Sequence, residues 1–84
     1  MMEIKLRLDV NQAEQLCSIC ESVDYDVNVI CGRVCVDGKS LVGVMKMCGR
    51  VVTLAPVTQD EDEYNNFFYL VKKIGAYKSE GFYG

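Results

Sequence analysis

Cysteine spacing is the first feature of the sequence that could support chemistry. Cys17 and Cys20 are separated by two residues, which is the spacing of thiol redox motifs and of zinc half-sites. Cys31, Cys35 and Cys48 could complete a four-sulfur cluster, but no second pair repeats the spacing. Both Cys17 and Cys20 fall on the apolar stripe of a predicted helix, and free cysteine is commonly buried. Packing is therefore the favoured interpretation, with a thiol or metal module as an alternative.

The chain contains no histidine, which excludes a Ser–His or Cys–His pair and any histidine metal ligand. The acidic run 60–63 suits the positive end of a helix dipole better than a cation site. Asp24 and Asp26 flank Tyr25 in a predicted turn, where aspartate commonly serves backbone geometry. We therefore expect no catalytic residue, no metal and no cofactor, and we favour recognition by partners over catalysis.

Length and charge limit the remaining function classes. The 84 residues predict one domain, residues 1–84, with one core. A net charge of −3 with nine scattered basic residues argues against a nucleic-acid partner. No apolar stretch of about 20 residues is present, so a membrane partner is not expected either. The odd number of cysteines and the lack of an export signal predict reduced thiols and a cytoplasmic protein. An exposed edge strand permits dimerisation without requiring it, so a monomer or weak dimer is expected.

Four strands are predicted from alternating or β-branched segments. They cover residues 4–8, 27–31, 34–36 and 51–57. In the first strand Ile4, Leu6 and Leu8 form the buried side, and Gly32 supplies the positive φ of a tight hairpin between the second and third strands. Pro56 ends the fourth strand, because proline suits a strand end.

Three helices are predicted between and after these strands. The first begins at a capping box from Asn11 to Glu14, and the third at a capping box from Thr58 to Glu61. The second covers 41–47 and is capped by Ser40. Two stripes at helical spacing face the core: Ala13, Leu16, Cys17, Cys20 and Val23 in the first helix, and Tyr64, Phe67, Phe68, Val71 and Ile74 in the third. The tail 76–84 shows no period and is expected to be loosely docked or mobile.

This order, β-α-β-β-α-β-α, predicts an α+β fold, a four-stranded antiparallel sheet with three helices on one face. A ferredoxin-like domain that senses a small molecule shares most of the order and is an alternative. The second helix is the most informative element, because apolar residues leave it almost no polar face. These residues are Leu41, Val42, Val44, Met45 and Met47. Apolar side chains that the core cannot absorb predict an interaction patch.

The segment from Asp26-Val27-Asn28-Val29 to Lys39-Ser40-Leu41-Val42-Gly43-Val44-Met45 resembles HPr, the phosphocarrier protein of the bacterial sugar phosphotransferase system. The similarity runs without a gap back to Gln12, and the element order agrees over nearly the whole chain. The resemblance implies an open-faced β-sandwich and a role in regulating sugar transport.

The resemblance also defines what this chain lacks. HPr carries its active histidine in a His-Ala-Arg-Pro motif at the start of the first helix, where this chain has Asp9-Val10-Asn11-Gln12. Neither the histidine nor the arginine has a counterpart, so the resemblance implies a degenerate member that does not relay phosphoryl groups.

Two features of the family do match. Ser40 falls on the regulatory serine that HPr kinase/phosphorylase modifies in Gram-positive bacteria, although its role as a helix cap also explains the residue. Leu41, Val42 and Met45 fall on the apolar partner-binding patch, beside Lys39. The resemblance thus implies a regulatory adaptor whose partners are HPr kinase/phosphorylase, a catabolite repressor or phosphotransferase components.

Overall fold

The computed structural model describes residues 2–80. Five strands are present: β1 Met2–Arg7, β2 Val27–Cys31, β3 Val34–Asp37, β4 Val51–Pro56 and β5 Tyr77–Glu80. Three helices accompany them: α1 Val10–Ser22, α2 Leu41–Met45 and α3 Glu61–Lys72. The predicted α+β class is confirmed, and the first seven elements follow the predicted order.

The strands form one sheet in the order β3-β2-β4-β1-β5, with every neighbouring pair antiparallel. β4 lies between β1 and β2, whereas in a ferredoxin-like sheet the third strand lies there. Gly32 has a φ of 60°, which gives the tight turn between β2 and β3 that the sequence predicts.

Side chains alternate across the sheet, so one face is buried and the other is partly open. The buried face contributes Ile4, Leu6, Val27, Val29, Val52 and Leu54 to the core. The helices add their apolar stripes to the same cluster, in which Phe67 is fully buried and in edge-to-face contact with Tyr25. The three helices therefore cover a single face of the sheet. Within residues 2–80 no helix has the length and apolar character needed to cross a bilayer.

The two predicted capping boxes were wrong by two residues, in opposite directions. α1 begins earlier, because the Asp9 carboxylate accepts a hydrogen bond from the Gln12 N–H at 3.0 Å and the Gln12 side chain accepts one from the Asp9 N–H at 3.3 Å. α3 begins later, because Asp60 accepts hydrogen bonds from the two N–H groups at 62 and 63. Thr58 instead accepts a hydrogen bond from the Asp60 N–H at 3.1 Å, outside the helix.

The prediction of four strands was also wrong, because part of the tail pairs with the sheet. Residues 77–80 form β5, which runs antiparallel to β1 with Ile4 opposite Lys78. The ammonium group of Lys78 lies 4.8 Å from the centre of the Phe68 ring and holds the strand to α3. Residues 81–84, the rest of the predicted loose tail, lie outside the described residues.

Candidate functional site

The short helix α2 is held on the fold by its first residues and by the strand beneath it. The Ser40 hydroxyl caps it by accepting a hydrogen bond from the Gly43 N–H at 3.3 Å. The Cys17 thiol of α1 donates to the Lys39 carbonyl at 3.3 Å, which fixes the start of α2 against α1. A Cβ at Gly43 would lie 3.2 Å from the Cβ of Val36, so glycine allows α2 to lie close on β3.

The apolar residues of the predicted second helix divide into a buried and an exposed group. Val44 is fully buried and Met47 is 3% exposed, so both belong to the core. Val42 is 70% exposed, Leu41 43% and Met45 36%. The helix has one regular turn rather than the predicted two, and residues 46–49 continue as a turn. We call the exposed group Leu41, Val42 and Met45 the α2 patch.

Charged groups lie at both ends of the α2 patch. The ammonium group of Lys39 lies 3.9 Å from the Asp26 carboxylate and remains partly exposed. Lys46 and Arg50 follow the patch, and both residues are exposed. On the same side as Lys39, the Asp37 carboxylate accepts a hydrogen bond from the Lys39 N–H at 2.9 Å, closing the turn before the helix. The patch is therefore apolar with mostly basic residues near it.

Asp9 and Gln12, in the segment that the resemblance compares with the HPr histidine motif, have structural roles here. Asp9 and Gln12 form the capping box of α1, and the Gln12 amide also donates to the Ile74 carbonyl at 3.4 Å. Val10 is exposed and Asn11 is exposed inside the first turn. The N–H of Gly49 donates to the Leu8 carbonyl at 2.7 Å, which brings the start of α1 beside the turn that follows α2.

Cys17 and Cys20 are buried on the inner side of α1. Burial, with a hydrogen bond to Glu21, raises the pKa of Cys17, and burial raises the pKa of Cys20 to about 12. Both thiols therefore hold their protons more firmly than an ordinary cysteine does, which disfavours the thiolate that acts as nucleophile or metal ligand. Across residues 2–80 no group of three or more acidic or cysteine side chains is placed to hold a metal ion.

A cleft of about 400 Å³ lies where the start of α3 approaches β1 and β5. Thr58, Asp60, Tyr64 and Lys78 are among the residues that line it. Sequence reasoning missed this cleft because Lys78, one of its walls, belongs to the strand that was not predicted. The acidic residues 60–63 serve here as cap and first turn of α3, as the helix-dipole interpretation expects.

Comparison of the chain with protein-family models, with curated proteins and with solved structures gives no match.

Proposed function

We propose that this protein is an HPr-like regulatory adaptor that binds partner proteins through the α2 patch and does not transfer phosphoryl groups through histidine. The observation that carries the proposal is the exposure of Leu41, Val42 and Met45 on one short helix. Three neighbouring apolar side chains that keep between 36% and 70% of their surface exposed are typical of a recognition surface, and methionine adapts to varied partner shapes.

The element order supports the same proposal. β1 to α3 follow the order that the resemblance to HPr implies, and β5 is an addition at the free side of β1. The α1 start and the turn after α2 lie together, so the region that corresponds to the lost histidine motif adjoins the proposed binding surface.

Phosphorylation of Ser40 is the proposed switch. The hydroxyl is on an exposed residue that directly precedes Leu41 and Val42. A phosphate adds a charge of about −1.5 to −2, and it would place that charge at the edge of the apolar patch. The Asp37 carboxylate lies in the same turn, so modification would make this edge strongly acidic and change which partners bind.

The test uses HPr kinase/phosphorylase with ATP on the wild-type protein and on Ser40→Asn. Asparagine caps helices about as well as serine but has no hydroxyl to modify, so the variant separates the switch from the cap. We expect a mass increase of about 80 Da, one phosphate, on the wild type alone. Binding to a catabolite repressor should then change with phosphorylation. An unmodified wild type would refute the switch. Loss of helix α2 in Ser40→Asn would show that asparagine does not replace the serine as the cap of this helix.

A small-molecule sensor is the second candidate, favoured by the cleft between α3 and β5. The cleft carries both charges and an aromatic ring, through Asp60, Lys78 and Tyr64. A ligand bound there would raise the melting temperature, because it binds only the folded state. A panel of metabolites that leaves the melting temperature unchanged would argue against the sensor and would leave the adaptor proposal intact.

A further inference from the structure

The outer edge of β3 leaves half of its backbone groups without partners in the sheet, and of these the Asp37 carbonyl accepts a hydrogen bond from the Ser40 N–H at 2.9 Å. Residues 32–33 form a two-residue turn, and Cys31 pairs with Val34 across it. The residues that close such a turn exchange both backbone hydrogen bonds, and the alternation then continues along the strand. Val34 and Val36 therefore direct their N–H and C=O groups toward β2.

A hydrogen bond beyond the strand supports this alternation. The Gly38 N–H donates to the Val27 carbonyl at 2.8 Å, so Gly38 faces β2 as Val36 and Val34 do. The intervening residues Cys35 and Asp37 direct their N–H groups away from β2, to the free edge of the sheet.

The sequence along this edge is complementary to itself. In Arg33-Val34-Cys35-Val36-Asp37, a valine lies on each side of Cys35 and opposite charges lie at the two ends. If a second copy paired antiparallel about a two-fold axis at Cys35, Arg33 of each copy would face Asp37 of the other. Val34 would face Val36 in the same way. Opposite charges directly across an antiparallel pair are stabilising, and so are paired β-branched residues.

Neither Arg33 nor Val34 has a role within one copy that would compete. Arg33 is exposed and makes no ion pair or side-chain hydrogen bond within residues 2–80, and Val34 is 52% exposed. One oxygen of the Asp37 carboxylate accepts the Lys39 N–H, which leaves the second oxygen for an arginine. Free sheet edges are commonly protected by charged residues within the strand. β3 has three uncharged residues in a row before Asp37, and Arg33 directly precedes the strand.

We propose that this edge pairs with a second copy of the chain, β3 to β3, with Cys35 opposite Cys35 and two reciprocal Arg33–Asp37 ion pairs. The two five-stranded sheets would continue as one. Five residues from each copy form the contact, so the interface is small and the dimer is expected to be weak. The proposal does not depend on the α2 patch and goes beyond the adaptor function.

The first test compares Cys35→Pro with Cys35→Ser by sedimentation velocity, under reducing conditions and over a concentration series that reaches the millimolar range. Proline lacks the N–H that faces the free edge, and proline is tolerated where that N–H does not serve the sheet. We expect wild type and Cys35→Ser to dimerise with rising concentration and Cys35→Pro to stay a folded monomer, with folding checked by circular dichroism.

The second test reverses charges. Arg33→Asp places acids opposite Asp37 twice and should weaken dimerisation by about tenfold or more. The double variant Arg33→Asp with Asp37→Arg should recover it. Arg50→Asp makes the same change of charge away from β3 and serves as the matched control, with no expected effect.

A cross-link can map the register. Residues that exchange hydrogen bonds across antiparallel strands have Cα atoms about 5.5 Å apart, which is within the range for a disulfide. Mild oxidation should therefore join Cys35 to Cys35, as read by peptide mapping. A monomer at every concentration would overturn the proposal. A dimer that resists Cys35→Pro and charge reversal, or one abolished instead by Val42→Asp, would also overturn it.

Discussion

Replacing Gly38 by alanine tests whether Cys20 is a packing residue. A Cβ at position 38 would lie 2.6 Å from the Cys20 sulfur and 3.1 Å from the Val27 carbonyl oxygen. Non-bonded atoms prefer about 3.5–4.0 Å, so the sulfur must move by roughly 1 Å. Cys20 is fully buried, so little space is available for that movement. Overpacking of this kind costs about 1–3 kcal/mol of unfolding free energy.

Cys20→Ala is the second substitution, and together with Gly38→Ala it forms a double-mutant cycle. It removes one buried sulfur, and the lost transfer free energy with the small cavity should cost about 1 kcal/mol. In the double variant the alanine methyl at 38 enters the space that the sulfur vacates. The double variant should therefore be more stable than the sum of the two costs predicts, by about 1–2 kcal/mol.

Urea unfolding under reducing conditions measures the four free energies of this cycle. The matched control combines Gly38→Ala with Cys35→Ala, because Cys35 is exposed and its cost should simply add. Additivity within about 0.5 kcal/mol for the Cys20 cycle would contradict the packing account. A Gly38→Ala variant as stable as wild type would contradict the close approach itself.

Three other predictions follow from the caps, the thiol pKa and the core. Asp9→Ala should cost about 1 kcal/mol and Asn11→Ala close to nothing in thermal unfolding, because Asp9 caps α1; equal costs would refute that cap. The pKa of Cys20 is raised from 9.0 to about 12, so the unfolded chain releases this proton first and stability falls as pH rises from 9 to 12. In Cys20→Ala the unfolding free energy, measured by urea titration at each pH, should fall less over this range. An unchanged fall would refute the assignment of this pH dependence to Cys20. Phe67→Ala should cost about 3–5 kcal/mol, against under 1 kcal/mol for the exposed Tyr69→Ala; similar costs would contradict the assigned core.

Periodicity predicted the elements well where one face of an element is buried. The alternation of Ile4, Leu6 and Leu8 gave the correct buried side of β1, and the stripe through Leu16 and Cys20 gave that of α1. These patterns work because the requirement to bury apolar surface acts on each residue in turn.

The helix caps show where local patterns stop being sufficient. The starts of α1 and α3 each offer two side chains that can accept a hydrogen bond, Asp9 or Asn11 for α1 and Thr58 or Asp60 for α3. A capping pattern does not choose between them, because the choice depends on where the preceding strand or loop leaves the chain.

β5 could not be predicted because its strand character depends on a distant partner. Its residues pair with β1 about 75 positions earlier, and the segment 77–80 has no apolar alternation of its own. The α2 patch had a clearer signal, since an excess of apolar residues was visible in the sequence. The sequence alone does not determine which of these residues face the core. Val44 faces inward and Val42 outward because of the position of the helix on β3.

The proposed adaptor function requires that Val42 and its neighbours bind a partner protein, and a titration with HPr kinase/phosphorylase measures that binding. Val42→Asp should weaken binding by about tenfold or more, because it places a charge in a desolvated contact. Val57→Asp is the matched control, since Val57 is 56% exposed and lies between β4 and α3. Loss of affinity in the first variant alone is the predicted result. Equal affinity of both variants and wild type, or no binding by any of them, would contradict the account.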